Sequence, residues 1–343
     1  MRKVLLTTTA LVALGGVSAA SALDISGSYG FTYTDTSNSG GSADAAGVSG
    51  DAFGNDTQID FTNSITTDAG LTWTALYRIN GTPAVEDMGL TVSGDFGTIM
   101  AGQTDGIVDG MDGFMLGSAM TESGGPGTTA NTALGTATTH LNLRTGAAVL
   151  DNATTGKIGW RSNEMSGFQV GVSYEDAGST AALNNDVMSW IVTYDFGVAK
   201  VGYASADVDS ANDDGADNSM THYGVGTSFM GATLAIGFGN SKTSATAVAG
   251  GAGVSDIDTR DIGISYNVDD NLSLYYNNVR SEENTGVNAS DKLESHAYGG
   301  YYTIAPGVTA NLEWAESDYT DATAGSGNSD ARTVTYGFLK VAF

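Results

Sequence analysis

The sequence predicts an all-β protein: a 16-stranded antiparallel β-barrel that crosses a membrane, with one long connection folded inside it. Three observations carry this prediction. Apolar residues recur at every second position along most of the chain. The connections between the alternating segments are short and long by turns. Aromatic residues collect near both ends of the segments.

The alternation is clear in residues 71–79 (LTWTALYRI), 168–174 (FQVGVSY), 223–229 (YGVGTSF) and 308–314 (VTANLEW). Successive side chains of a strand point to opposite faces, so one face of each segment is apolar and the other polar or small. Sixteen such segments are predicted near 24–35, 56–67, 70–80, 85–94, 97–103, 155–163, 166–175 and 185–196, then 198–208, 218–229, 231–241, 257–268, 271–282, 292–304, 307–318 and 331–343. Their short connections include Asp68-Ala69, Asp95-Phe96 and Asp269-Asp270. The long ones, rich in Gly, Asp, Asn, Ser and Thr, run over 36–55, 104–154, 176–184, 209–217, 242–256, 283–291 and 319–330. Short turns on one rim and long loops on the other are the pattern of an outer-membrane barrel. An even strand number brings both ends to the short-turn rim, and the last strand, ending at Phe343, is expected to pair with the first. A soluble sandwich would not sort its loops by length so regularly. A solenoid would repeat itself, and no repeat is present.

Composition agrees. The chain has 343 residues, with 48 Gly, 3 Pro and no Cys. Without Cys there is no disulfide framework, thiolate metal site or thiol nucleophile. Thirteen basic residues face 39 acidic ones, a formal charge of −26, which makes the chain a poor nucleic-acid binder. Residues 1–22 read as a cleaved signal peptide: Arg2 and Lys3, an apolar stretch, then Ala20-Ser21-Ala22 before the cut. Its removal leaves eleven basic residues against 39 acidic, a mature charge of −28 on residues 23–343. No later run of about 18 apolar residues exists, so a helical span is excluded while a strand-built one is not.

Phe96, Phe168, Phe196, Phe229, Tyr266 and Tyr302 fall near short turns, and Tyr33, Tyr77, Tyr174, Tyr223, Tyr276 and Tyr298 toward long loops, as two interfacial girdles would require. By strand parity the inner face holds Asp60, Arg78, Lys157, Arg161, Glu175, His222, Asn311 and Glu313 among many Thr and Ser. That face wants water, and sixteen strands enclose more space than side chains fill. The connection 104–154 is too long to be left structureless outside. Folded into the lumen, its Asp105, Asp109, Asp112 and Glu122 would face Arg78, Lys157 and Arg161 across a narrowed channel, setting up a transverse field.

The chain resembles the general porins of Gram-negative outer membranes. The resemblance rests on residues 23–31 (LDISGSYGF), 94–105 (GDFGTIMAGQTD), 156–161 (GKIGWR) with 167–174, and 336–343 (YGFLKVAF), in that order along the mature chain. It implies a homotrimer, passive diffusion of small hydrophilic solutes and a constriction by the third loop. By motif position it places acidic loop residues at Asp105, Asp109 and Asp112 and a basic wall residue at Arg161; Arg78 rests on parity alone. Basic residues are scarcer here than in that family, so cation preference is expected. Solute-selective transport through a ligand site, or a structural barrel with a blocked lumen, are the alternatives; inward positions dominated by Thr, Ser, Asn and Gly favour the general pore.

Other constellations are weaker. Asp209, Asp213 and Asp214 lie in an acidic stretch that could hold Ca²⁺ loosely, but the spacing of an EF-hand loop is missing. No other cofactor is expected, and lipid and lipopolysaccharide are the expected surroundings. His140, His222 and His296 form no metalloprotease spacing, and no nucleophile elbow is present, so an enzyme is not expected.

Overall fold

The computed structural model describes residues 23–38, 50–81, 85–104, 106–108, 156–176, 185–210, 217–244, 255–285, 290–320 and 329–343. They form sixteen strands. β1 is Asp24–Asn38, β2 Gly50–Thr66, β3 Thr72–Asn80 and β4 Val85–Gly94. β5 is Gly97–Gln103, β6 Gly156–Arg161, β7 Phe168–Asp176 and β8 Asn185–Asp195. β9 is Lys200–Ser210, β10 Asp217–Phe229, β11 Ala232–Ser244 and β12 Ser255–Asn267. β13 is Leu272–Thr285, β14 Lys292–Ala305, β15 Val308–Thr320 and β16 Ser329–Ala342.

Each strand pairs antiparallel with its neighbours in sequence, and β1 pairs with β16, so the sheet is a closed barrel. Closure leaves no edge strand and bonds the backbone within the protein, the condition for crossing a bilayer with strands. The seam runs from Ser28↔Ala342 to Asn38↔Arg332. Gly27 and Phe343 extend it by exchanging two backbone hydrogen bonds, each 3.0 Å.

All sixteen predicted segments are strands. Several run further toward the long connections than the alternation indicated: β2 begins at Gly50 rather than 56, and β13 ends at Thr285 rather than 282. At the opposite rim, polar side chains hold tight turns. The Asp269 carboxylate accepts from the backbone N–H groups of Asn271 (2.7 Å) and Leu272 (2.8 Å). The Trp160 indole donates to the Phe96 carbonyl at 2.9 Å, tying the end of β6 to the β4–β5 turn.

Burial alternates along the strands, as in β13, where Tyr275, Asn277, Val279, Ser281 and Glu283 are buried and Leu274 and Tyr276 are exposed. The exposed face is the apolar one: Trp73, Ile99, Val172, Trp190, Val225, Leu234, Ile264, Leu312 and Leu339 all point away from the barrel. A water-soluble protein would bury these residues; a lipid-facing one displays them. Phe96, Phe168, Phe196, Phe229, Tyr266 and Tyr302 are exposed toward the short turns, and Tyr77, Tyr174, Tyr223, Tyr276 and Tyr298 toward the other rim. The two aromatic girdles are therefore present. No helix among the described residues is long and apolar enough to span a membrane. The signal segment 1–22 lies outside the described residues.

Candidate functional site

The inner wall is polar. Its buried members include Ser173, Glu175, Ser189, Thr193, His222, Thr259, Asp261, Asn277, Ser281, Ser295, Asn311, Glu313 and Ser317. They are joined sideways into hydrogen-bonded rows. Ser295 and Ser317 share one hydrogen bond, Thr259 and Ser281 another at 3.0 Å, and Asn277 donates to Asp261 at 2.7 Å. These rows follow from register, since each pair sits on adjacent strands, directly opposed or diagonal, with the same inward parity.

Arg78, Lys157 and Arg161 each make a defined contact. Arg78 on β3 stands between two carboxylates. Its Nε and Nη2 donate to Asp60 on β2, at 2.9 and 3.4 Å, and its Nη1 donates to Asp87 on β4 at 2.7 Å. Gln58 donates to the same Asp60 at 2.8 Å. The register brings them together: Asp60 pairs with Arg78, and Arg78 with Asp87, just where the β3–β4 ladder slips so that Ile79 meets Val85. Two carboxylates on one guanidinium leave the cluster with a net negative charge.

Lys157 on β6 is nearly buried. Its ammonium donates to the Thr104 carbonyl at 3.0 Å and lies 3.7 Å from Glu175 on β7. Arg161, at the end of the same strand, donates to the Ile107 carbonyl at 2.8 Å. Both cations thus grip the chain immediately after β5. Ile107 is fully buried and Val108 nearly so, in an apolar cluster with Val187, Ile191, Ala204 and Ala206. These partners belong to the inward face of β8 and β9, so residues 106–108 rest on the inner wall rather than outside it.

Asp105, Asp109, Asp112 and Glu122, the expected acidic side, lie outside the described residues, as do Asp213 and Asp214. Asp209 is the penultimate residue of β9. Among the described residues no group of three or more His, Asp or Glu side chains is placed to hold a metal ion. Asp87, Thr104 and Ile107 were not singled out from sequence. Strand parity alone marks Asp87 as inward, but only register shows that it meets Arg78.

A closed sixteen-stranded barrel, greasy outside and polar within, defines a membrane channel. A family-wide sequence profile described as Gram-negative porin matches residues 7–322, and the chain belongs to that family. It is an outer-membrane channel for solute diffusion, not an enzyme. No curated protein matches by sequence. Among solved structures, a porin refined at 1.8 Å resolution matches with TM-score 0.67 and 16% identity, over 94% of this chain and 100% of its own. The trimer form of OmpT from Vibrio cholerae matches with TM-score 0.69 and 15% identity, over 95% and 100%. An anion-selective porin from Comamonas acidovorans matches with TM-score 0.66 and 13% identity, over 94% and 100%. At these identities the likeness is one of fold.

Proposed function

We propose that the barrel is a general, water-filled pore for small hydrophilic solutes and ions, and that it prefers cations. The observation that carries the cation preference is the pairing of Arg78 with both Asp60 and Asp87. With Lys157 set against Glu175, two of the wall's basic residues are matched or outnumbered by carboxylates. Asp261, Glu283 and Glu313 add further acid to the same face. A lumen lined this way lowers the energy of a cation and raises that of an anion. The Comamonas structure is of an anion-selective porin on a similar barrel, so the fold leaves the sign of selectivity to the side chains.

The connection 104–154 is the constriction in this reading, with Asp105, Asp109, Asp112 and Glu122 as its acidic side and Arg78, Lys157 and Arg161 as the basic wall, the last two holding the start of the connection itself. The seating of Ile107 and Val108 on the inner wall supports it. A homotrimer in outer-membrane lipid and lipopolysaccharide is the proposed working form, on the analogy of the OmpT trimer. No cofactor is required.

Planar-bilayer recording in a KCl gradient tests the reading. Ohmic steps with a reversal potential of cationic sign are expected. Anion preference overturns the selectivity, and electrical silence of folded protein overturns the pore. Gel migration with and without boiling tests the trimer: a single monomeric band in mild detergent overturns it.

A further inference from the structure

The inner wall carries a feature that unselective diffusion does not need. Aromatic side chains, which most strands place on the lipid face, turn inward at one spot: Tyr275 on β13, Tyr301 on β14, and Tyr336 and Phe338 on β16. They flank two polar residues of β15. Asn311 is directly opposed by Tyr301 on one side and by Phe338 on the other. Glu313 is opposed by Tyr336 and by Gly299, over which the Tyr275 ring passes. The rings of Tyr275 and Tyr301 lie 5.2 Å apart, and those of Tyr336 and Phe338 6.3 Å. Tyr301 and Tyr336 are half-buried, so the cluster keeps a face on the lumen.

Two acceptors here go without a donor. Asn311 gives its amide N–H groups to the Tyr275 hydroxyl (2.9 Å) and the Gly300 carbonyl (3.2 Å). Its amide oxygen is buried, on a residue only 5% exposed, and has no hydrogen-bond partner among the described residues. Asn277, two positions along β13 from Tyr275 on the same face, repeats the arrangement. Its amide nitrogen donates to Asp261 (2.7 Å) and to the Ile262 carbonyl (3.2 Å), and its oxygen is buried without a partner among the described residues. A buried acceptor left unpaired is costly, so a ligand that donates to it is favoured. The charge on this stretch of wall is acidic: Asp261 and Glu313 stand against Lys340, whose ammonium lies over the Phe338 ring, 6.0 Å from its centroid.

We infer that this cluster is a binding subsite for small solutes that carry a guanidinium group. The chemistry matches on each count. A guanidinium is a cation with a planar fork of N–H donors, and a carboxylate such as Glu313 accepts that fork. Its flat faces stack on aromatic rings, which Tyr275, Tyr301, Tyr336 and Phe338 supply on both sides. Its remaining N–H groups answer the bare amide oxygen of Asn311, with that of Asn277 further along the same wall. A hard metal ion suits the spot less, since among the described residues no three acidic or His side chains converge on one point. The inference rests on the open, cation-preferring pore, because solutes must pass this wall to meet the site.

The test titrates detergent-extracted full-length protein calorimetrically with methylguanidinium, and separately with urea, tetramethylammonium and glucose. Urea has the planar donors without the charge, and tetramethylammonium the charge without the donors. Wild type is expected to bind methylguanidinium about tenfold more tightly than any of the other three, and E313Q and N311L each to weaken it about tenfold. Absence of binding heat for methylguanidinium overturns the site. So does equal affinity for tetramethylammonium, urea or glucose, or unchanged affinity in either variant that folds. If neither variant folds, the wild-type ranking of the four probes decides alone. Planar-bilayer recording on the same preparations separates this site from the pore. Methylguanidinium is expected to interrupt the KCl current briefly in wild type and about tenfold less often in E313Q. A conducting, cation-preferring channel without binding sinks this site only; binding to a silent channel sinks the pore only.

Discussion

The hydroxyl of Tyr275 donates a hydrogen bond to the carboxylate of Glu313 at 2.7 Å, although the two residues sit on β13 and β15 with β14 between them. The ring crosses over Gly299, where a Cβ would stand 2.5 Å from the tyrosine oxygen. Asn311 donates to the same hydroxyl at 2.9 Å, and the Tyr301 ring lies 5.2 Å from that of Tyr275. Three strands are thus cross-linked on the inner wall by one side chain that only a glycine lets pass. Tyr275→Phe removes the donor and is expected to cost about 1.5–3 kcal/mol, the range for a hydrogen bond to a charged group. Gly299→Val is expected to cost more, because it evicts the ring and breaks all three contacts. Urea unfolding midpoints in detergent should rank wild type, Tyr275→Phe and Gly299→Val in falling order. Gly299→Val as stable as wild type would contradict the arrangement.

Arg78 bears on selectivity. Arg78→Gln leaves Asp60 and Asp87 without the guanidinium that spans them, so the wall gains a full negative charge. The reversal potential in a KCl gradient should move further toward the cation limit, while Asp87→Asn should move it back. The preference should also depend on salt. Screening shortens from about 30 Å at about 0.01 M to about 3 Å at about 1 M ionic strength, so a field acting across a pore is felt in the first case and lost in the second. Preference that persists undiminished at molar salt would point to direct ion binding instead of a field.

Strand number, order and facing are legible in the sequence because a barrel imposes one rule everywhere, period two with lipid on one side and water on the other. Where that rule stops, so does legibility. Residues 50–55 (GDAFGN) show no alternation, yet they extend β2 by pairing with Phe31 to Thr36, with Phe53 as their one large side chain, its ring against those of Phe31 and Tyr33. No side-chain pattern records such a ladder. Arg78, Lys157 and Arg161 are readable as inward from parity. Their partners are not: Asp87 depends on a register slip, and Thr104 and Ile107 offer carbonyls, which every residue has. The Tyr275–Glu313 bond skips a strand, and period two says nothing about reach.

The seam gives a separate prediction. Gly30 faces inward on β1, where a Cβ would stand 2.3 Å from the Phe338 ring on β16. Gly30→Val must push that ring aside or open the β1–β16 ladder, whereas the same change at Gly156, where nothing lies within 4 Å, meets no neighbour. Overpacking of this kind costs about 1–3 kcal/mol. Gly30→Val should therefore lower the temperature at which the folded band on an unboiled gel is lost. An unaltered transition would mean that the ring moves freely and that Phe338 is not part of the closure.

The constriction can be tested through its anchor. Ile107 packs against Ile191 and the bare backbone of Gly171, and its carbonyl accepts from Arg161. Ile107→Ala should weaken that seat by about 2–5 kcal/mol, the range for truncating a buried aliphatic residue. Arg161→Ala removes the polar half of the same attachment. Because residues 106–108 lead directly into the connection proposed to narrow the lumen, loosening them should widen the path on average. Single-channel conductance should rise in both variants and further in the double variant, and liposome swelling should admit larger sugars. Strand content and the gel-shift transition should stay close to wild type, because the barrel ladder itself is untouched. If conductance and sugar cut-off stay at wild-type values in the double variant, the connection does not set the pore's width, and the limiting aperture belongs to the wall.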